Sequence, residues 1–210
     1  MRNAAMTALV FAEIKSLAMK KIAGIVSVIG NPLYTIPIFV LIVMFGKEDF
    51  SKAVFISFLI IGCIFIPVIL WMYIKSKNGS YSNFDVSDKD ERKSLYWFAI
   101  PFITVIIVVM FATNQPKNIS MSMLFALILV ATSQITNFFI KSSLHVSLNI
   151  FLSALIFTVD YKIGVAVLLF TGVLIWSRLT LKRHTVSEVI TGFFIGLVIS
   201  VIMLKVENFL

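Results

Sequence analysis

The stretch LYWFAIPFITVIIVVMFAT, from Leu95 to Thr113, decides what kind of protein this is. It holds no Asp, Glu, Lys, Arg or His. Coiled as an α-helix at about 1.5 Å per residue, such a run approaches the ~30 Å of a bilayer's hydrocarbon core. Working outward, six further apolar runs fall at about 31–46, 53–74, 121–140, 146–159, 163–177 and 187–204. The fifth and sixth runs in chain order, 146–159 and 163–177, are short for a span. Asp160, Tyr161 and Lys162 read as the turn between them. Pro37, Pro67 and Pro101 lie inside runs, a position membrane helices tolerate better than soluble ones.

The composition agrees with this reading. Of 210 residues, 60% are hydrophobic and only 13% charged, against about 25% charged in a soluble domain. The expected fold class is therefore all-α, a polytopic membrane bundle of six to seven transmembrane helices, forming one membrane-embedded domain over residues 31–210. Residues 1–30 carry Glu13, Lys15, Lys20 and Lys21 where a cleaved signal peptide needs an unbroken apolar core. They read as an amphipathic segment at the interface. The lone Cys63 makes no internal disulfide. In the last run, Gly192 and Gly196 form G-x-x-x-G, expected to serve helix packing within the chain. No ionisable residue lies deep inside a run, which disfavours an ion or proton pathway.

Counting crossings places the polar segments. Loop 75–94, the segment Lys141–His145 and the segment Ser177–Ser187 are each separated by two crossings, so all three share one membrane face, together with the N-terminal segment. This brings Arg92, Lys141, His145, Arg178, Lys182, Arg183 and His184 to one end of the bundle. Only Lys47, Lys52, Lys117, Lys162 and Lys205 fall on the other face, leaving 13 of the 18 basic residues on the first. The positive-inside rule accounts for that excess without any chemistry and leans the face towards the cytoplasm of the cell membrane. It also accounts for the net charge of +8 better than nucleic acid does. It leaves unexplained why both histidines of the chain sit at helix ends on that face. Cations beside imidazoles suit a phosphate anion.

The run Ser177-Arg178-x5-His184-x3-Glu188 resembles the third signature motif of the type 2 phosphatidic acid phosphatase superfamily, S-R-x5-H-x3-D. Ser142-Ser143-Leu144-His145 resembles the second, P-S-G-H, and Asp85 to Lys93, with Arg92 as its arginine, the first, K-x6-R-P. Order and spacing agree over about residues 85–200. Glu188 stands for the family's Asp, Ser142 and Leu144 for its Pro and Gly, Asp85 for its Lys and Lys93 for its Pro.

The resemblance implies a metal-independent membrane phosphatase without a cofactor. It acts on a phosphorylated lipid, a phosphomonoester or a pyrophosphate, through a phosphohistidine intermediate. His184 is then the nucleophile and Glu188 orients its ring. His145 is the acid–base residue. Arg178, Arg92 and Ser143, by backbone and hydroxyl, hold phosphate oxygens, with Lys141 as an added cation. Two other readings stay open: a transferase using the same pocket, and a catalytically inactive protein that binds an anionic lipid, as Asp85 in place of a lysine suggests. Thr185-x-x-Glu188 also fits a helix capping box, and one carboxylate is not expected to fill both roles easily. Asp85, Asp88, Asp90 and Glu91 read as a solvated loop face rather than a metal site. The oligomeric state is not legible.

Overall fold

The computed structural model describes residues 2–82, 86 and 88–208, with the side chains of residues 2–5 and 7–12 outside that description. Among the described residues there are eight helices and no strand. They are α1 (Arg2–Ile29), α2 (Pro32–Lys47), α3 (Phe50–Lys77), α4 (Lys89–Ala112), α5 (Lys117–Asn137), α6 (Leu144–Phe157), α7 (Tyr161–Thr180) and α8 (Val186–Val206). Each of the seven apolar runs has become one helix. The fourth run was expected to reach 140, but α5 stops at Asn137 and Phe138–Ser143 form the connection. Asp160 is not followed by a turn; it caps α7, and Tyr161 and Lys162 already belong to that helix.

Local chemistry sets the helix starts. The Asn31 side chain accepts from the Leu33 amide at 3.0 Å, and Pro32 occupies the first turn, where its missing N–H costs nothing. Asp88 accepts from Asp90 and Glu91 (2.8 and 3.2 Å), and Asp160 from Lys162 and Ile163 (2.8 and 3.1 Å). Those backbone donors, that of Asp90 foremost, hold the Asp88 carboxyl below the usual carboxylate range. α3 is irregular: Phe58–Phe65 is wound as a wider π-helix just before Pro67, where a regular ladder would lose a donor.

Five helices, α3, α4, α5, α7 and α8, are long and apolar enough to cross a membrane. α1 from Glu13 and α2 pass the same criterion as a pair, bent by 43° at Gly30–Asn31. α6 has only 14 residues, about 21 Å at 1.5 Å per residue. Large apolar side chains cover the outer surface, among them Leu41, Phe58, Trp97, Val108, Leu169 and Phe194. A chain dissolved in lipid has no reason to bury them.

The bundle has two halves joined by α5. In one, α6 is wrapped by α7, α8 and α5, and α1 lies along α7. In the other, α2, α3 and α4 pack through Val40, Met44, Ile56, Ile60, Ile106 and Met110.

Candidate active site

All the polar stations meet at one end of the bundle, where α4 and α8 begin and α7 ends. The deepest support is backbone contact between α6 and α8. A Cβ at Gly192 would lie 2.6 Å from the Ser143 carbonyl oxygen, and one at Gly196 2.7 Å from that of Ser147. The G-x-x-x-G pair thus packs inside the chain. Because Gly192 is two turns into α8, the start of α6 is recessed below the start of α8. The close approach lets the Ser143 amide donate to the Glu188 carbonyl at 3.0 Å.

His184 lies in the turn between α7 and α8 and is buried. Its Nδ1 is 2.8 Å from the Glu188 Oε2, and its Nε2 is 3.5 Å from the Arg92 Nη2. A guanidinium only donates, so Nε2 is the acceptor, and the ring proton belongs on Nδ1, donated to Glu188. Nε2 therefore offers a lone pair to the site. Burial first, then the charges of Arg92, Arg178, Lys141 and His145, hold this imidazole far below its ordinary pKa of 6.5, to about 2. Glu188 pulls the other way, but desolvation and the cations prevail, and the ring is neutral at physiological pH.

Glu188 fills both roles that its sequence context suggested as alternatives. Its Oε2 accepts from His184 and from the Thr185 amide at 3.2 Å, while Thr185 Oγ1 accepts from the Glu188 amide at 3.3 Å. The expectation of a conflict fails because the capping carboxylate folds back towards the preceding turn, where His184 sits.

Arg92 is 2% exposed. Its Nε donates to the Val86 carbonyl at 2.9 Å and its Nη1 to the Ser142 carbonyl at 2.5 Å. Around it, the Lys89 ammonium donates to the Phe138 carbonyl and the Asn137 amide to the Lys89 carbonyl, each at 3.0 Å. These bonds tie the start of α4 to the end of α5 and aim the arginine inward. Arg178, in the last turn of α7, is fully buried and donates through Nη1 to Ser27 Oγ at 2.9 Å. Beside it, Ser177 Oγ donates to the Ala23 carbonyl at 2.5 Å. Asn149 donates to the carbonyls of His145 and Gly30 (2.7 and 2.8 Å), locking the first turn of α6 to the α1–α2 bend.

His145 is buried in that first turn, within electrostatic reach of His184. Two expected phosphate ligands are placed differently from their sequence reading. The Ser143 amide is taken by Glu188, which leaves only its hydroxyl, a buried oxygen without a partner, as is that of Ser142. The Lys141 ammonium faces Glu188 Oε2 at 3.5 Å, so it acts on the carboxylate that orients His184.

Lys182 and Arg183 are exposed at the rim. The acidic loop residues are structural: Asp88 caps α4, Asp90 pairs with Lys93 at 2.6 Å, and Glu91 accepts from the Ser82 amide at 2.6 Å. Asp85 lies outside the described residues. Ser27 supports Arg178, the Ala23 carbonyl supports Ser177, and Asn149 ties down the first turn of α6. No motif marks any of them; Ser27 and Asn149 stand out in the sequence only as polar residues among apolar neighbours, and Ala23 not at all.

No family model, no curated protein and no solved structure matches this chain.

Proposed function

We propose that the chain is a metal-independent membrane phosphatase, related to the type 2 phosphatidic acid phosphatases, that hydrolyses a lipid phosphomonoester or pyrophosphate. The observation that carries this is the arrangement around His184: a buried neutral imidazole, Nδ1–H donated to Glu188, with Nε2 facing a buried arginine. A purely structural histidine would not need its reactive nitrogen directed at a cation.

In this reading Arg92 and Arg178 hold the non-bridging phosphoryl oxygens and offset the repulsion between phosphate and nucleophile. His184 Nε2 forms a bond to phosphorus as the bond to the leaving oxygen breaks. Glu188 stabilises the positive charge that the ring acquires. His145 protonates the leaving alkoxide or phosphate. It then takes a proton from water, whose oxygen attacks phosphorus and breaks the P–N bond, releasing inorganic phosphate. Two displacements of moderate difficulty replace one hard one. The cations that make His184 neutral also keep it unprotonated, and so nucleophilic, before substrate binds.

The test is phosphate release by purified protein, with chelator present, from phosphatidate and from prenyl phosphates and pyrophosphates. His184→Ala is expected to lower kcat by at least about 10⁴-fold, and the wild type to carry a phosphoryl group on His184 after a rapid quench. Undiminished turnover by both His184→Ala and His145→Ala removes the reading. Product analysis with added acceptor alcohols separates hydrolase from transferase. Absence of turnover with every lipid favours the inactive lipid-binding protein. The charge bias leans the site towards the cytoplasmic face of the cell membrane. Cysteines introduced at Ser80 and Pro116, in a background lacking Cys63, report the face by their labelling in intact cells.

A further inference from the structure

The last two turns of α1, and the Gly30 that follows them, meet the helices that carry the site. Ser177 and Arg178 are neighbours near the end of α7, and their two partners stand one helical turn apart on α1. Ser177 Oγ donates to the Ala23 carbonyl at 2.5 Å, and Arg178 Nη1 donates to Ser27 Oγ at 2.9 Å. Positions i and i+4 share one face of a helix, so a single face of α1 grips the end of α7. That face continues to Gly30, where an added Cβ would lie 2.8 Å from Leu174 Cδ1, one turn before Arg178. The Gly30 carbonyl in turn accepts from Asn149, whose amide also donates to the His145 carbonyl. The segment that the sequence set apart as interfacial is thus bonded to both helices that present His145 and Arg178.

One of these contacts differs in kind from the others. Ser177 and Asn149 donate to main-chain carbonyls of α1 and its bend, which almost any residue would supply. Ser27 contributes a buried side chain, and its partner is a fully buried guanidinium. Arginine has a long stem and five N–H donors in one rigid plane. Anchoring one nitrogen fixes that plane, and with it the direction of every other N–H of the group. The anchor is also neutral. A carboxylate at this place would orient the arginine as well, but its charge would offset the positive charge that attracts a phosphate.

We propose that Ser27 is a positioning residue of the site: its hydroxyl aims the Arg178 guanidinium at the phosphoryl group, which makes the end of α1 a working wall of the catalytic centre. The proposal rests on the phosphatase reading for the identity of the anion. Ser27 itself touches neither the nucleophile nor the substrate and acts through the arginine.

The experiment compares Ser27→Val with Ser27→Thr in the full chain, purified in detergent. The two side chains have the same shape, so any crowding by the extra methyl group is common to both and only the hydroxyl differs. The probe is inorganic phosphate, its binding followed by calorimetry. Ser27→Val is expected to bind phosphate about tenfold more weakly than Ser27→Thr, the scale of one hydrogen bond to a charged group. With a lipid phosphate that wild type turns over, the pair is expected to differ chiefly in KM, as for a group that binds ground state and transition state alike. A purely structural serine would instead lower the Tm of Ser27→Val and leave the phosphate affinity of the folded protein unchanged. Equal phosphate affinity in the two variants overturns the proposal, and turnover by wild type then leaves the phosphatase reading intact. The expected difference in a protein that turns over no lipid phosphate keeps the positioning role and sinks that reading. A wild type that binds no phosphate removes both.

Discussion

The half of the bundle that holds α6, α7 and α8 and the half built from α2, α3 and α4 are held together in different ways. In the first, backbones touch: Gly192 and Gly196 sit against Ser143 and Ser147, and Arg178, Ser177 and Asn149 are bonded to α1 or to the α1–α2 bend. In the second, the contacts are Ile, Val and Met side chains, and beside them runs an apolar cavity. Directional bonds fix atoms in place, as a displacement at phosphorus requires. Apolar contacts carry no such direction, so they adapt. On the proposed reading, the rigid packing lies next to the chemistry and the adaptable packing surrounds the apolar cavity.

Four substitutions would break or sharpen that contrast. Glu188→Gln has the largest expected effect, a loss of about 10²-fold in kcat with little change in melting temperature, because glutamine also completes a capping box. A large stability loss instead would show that the cap, and not the imidazole, is what the carboxylate serves. Gly192→Ala comes next. The methyl group would meet the Ser143 backbone, which cannot step aside as a side chain can, so thermal unfolding should report a loss of about 1–3 kcal/mol accompanied by reduced activity. Ile106→Val, in the adaptable half, is expected to cost only about 0.5–1.5 kcal/mol and to leave kcat intact. An effect on kcat as large as that of Gly192→Ala would erase the distinction between the halves.

The smallest effect concerns pH. In the proposed mechanism His184 must be unprotonated to attack, and its neutral form persists down to low pH because it is buried among cations. Below that depressed pKa the ring would be charged and unreactive; above it the nucleophile is available. An acidic limb in kcat/KM near pH 6.5 therefore belongs to another group, such as the substrate phosphate. Lys141→Met removes one of the cations, so the His184 pKa should move up towards its ordinary value and carry its own limb to higher pH. Profiles of wild type and variant, measured side by side, check the direction.

Much of this was legible in the sequence, for a physical reason. Lipid demands long apolar runs, and such runs announce themselves, so all seven appear as helices close to their expected limits. Counting crossings gathered His145, His184, Arg92 and Arg178 at one end, where the structure has them. What escaped depends on contacts between distant segments or on departures from regular winding. Ser27 supports Arg178 from a segment that composition sets apart as interfacial. The double role of Glu188 depends on how the turn at His184 folds. The π-helix in α3 changes the backbone and not the apolar pattern, so periodicity does not reveal it. The apolar cavity exists only between helices and has no sequence signature.

The shortness of α6 has a consequence for the surroundings. At about 21 Å it is thinner than the ~30 Å of lipid it displaces, and its site-side end lies below its neighbour's. Because its neighbours cover it, lipid does not fill the shortfall, and water or a bound headgroup has to follow the helix inwards instead. The headgroup would then reach the histidines by sinking while its tail straightens, and a stiffer or thicker bilayer would resist that descent. Catalytic rate would then vary with membrane thickness even when every side chain is unchanged.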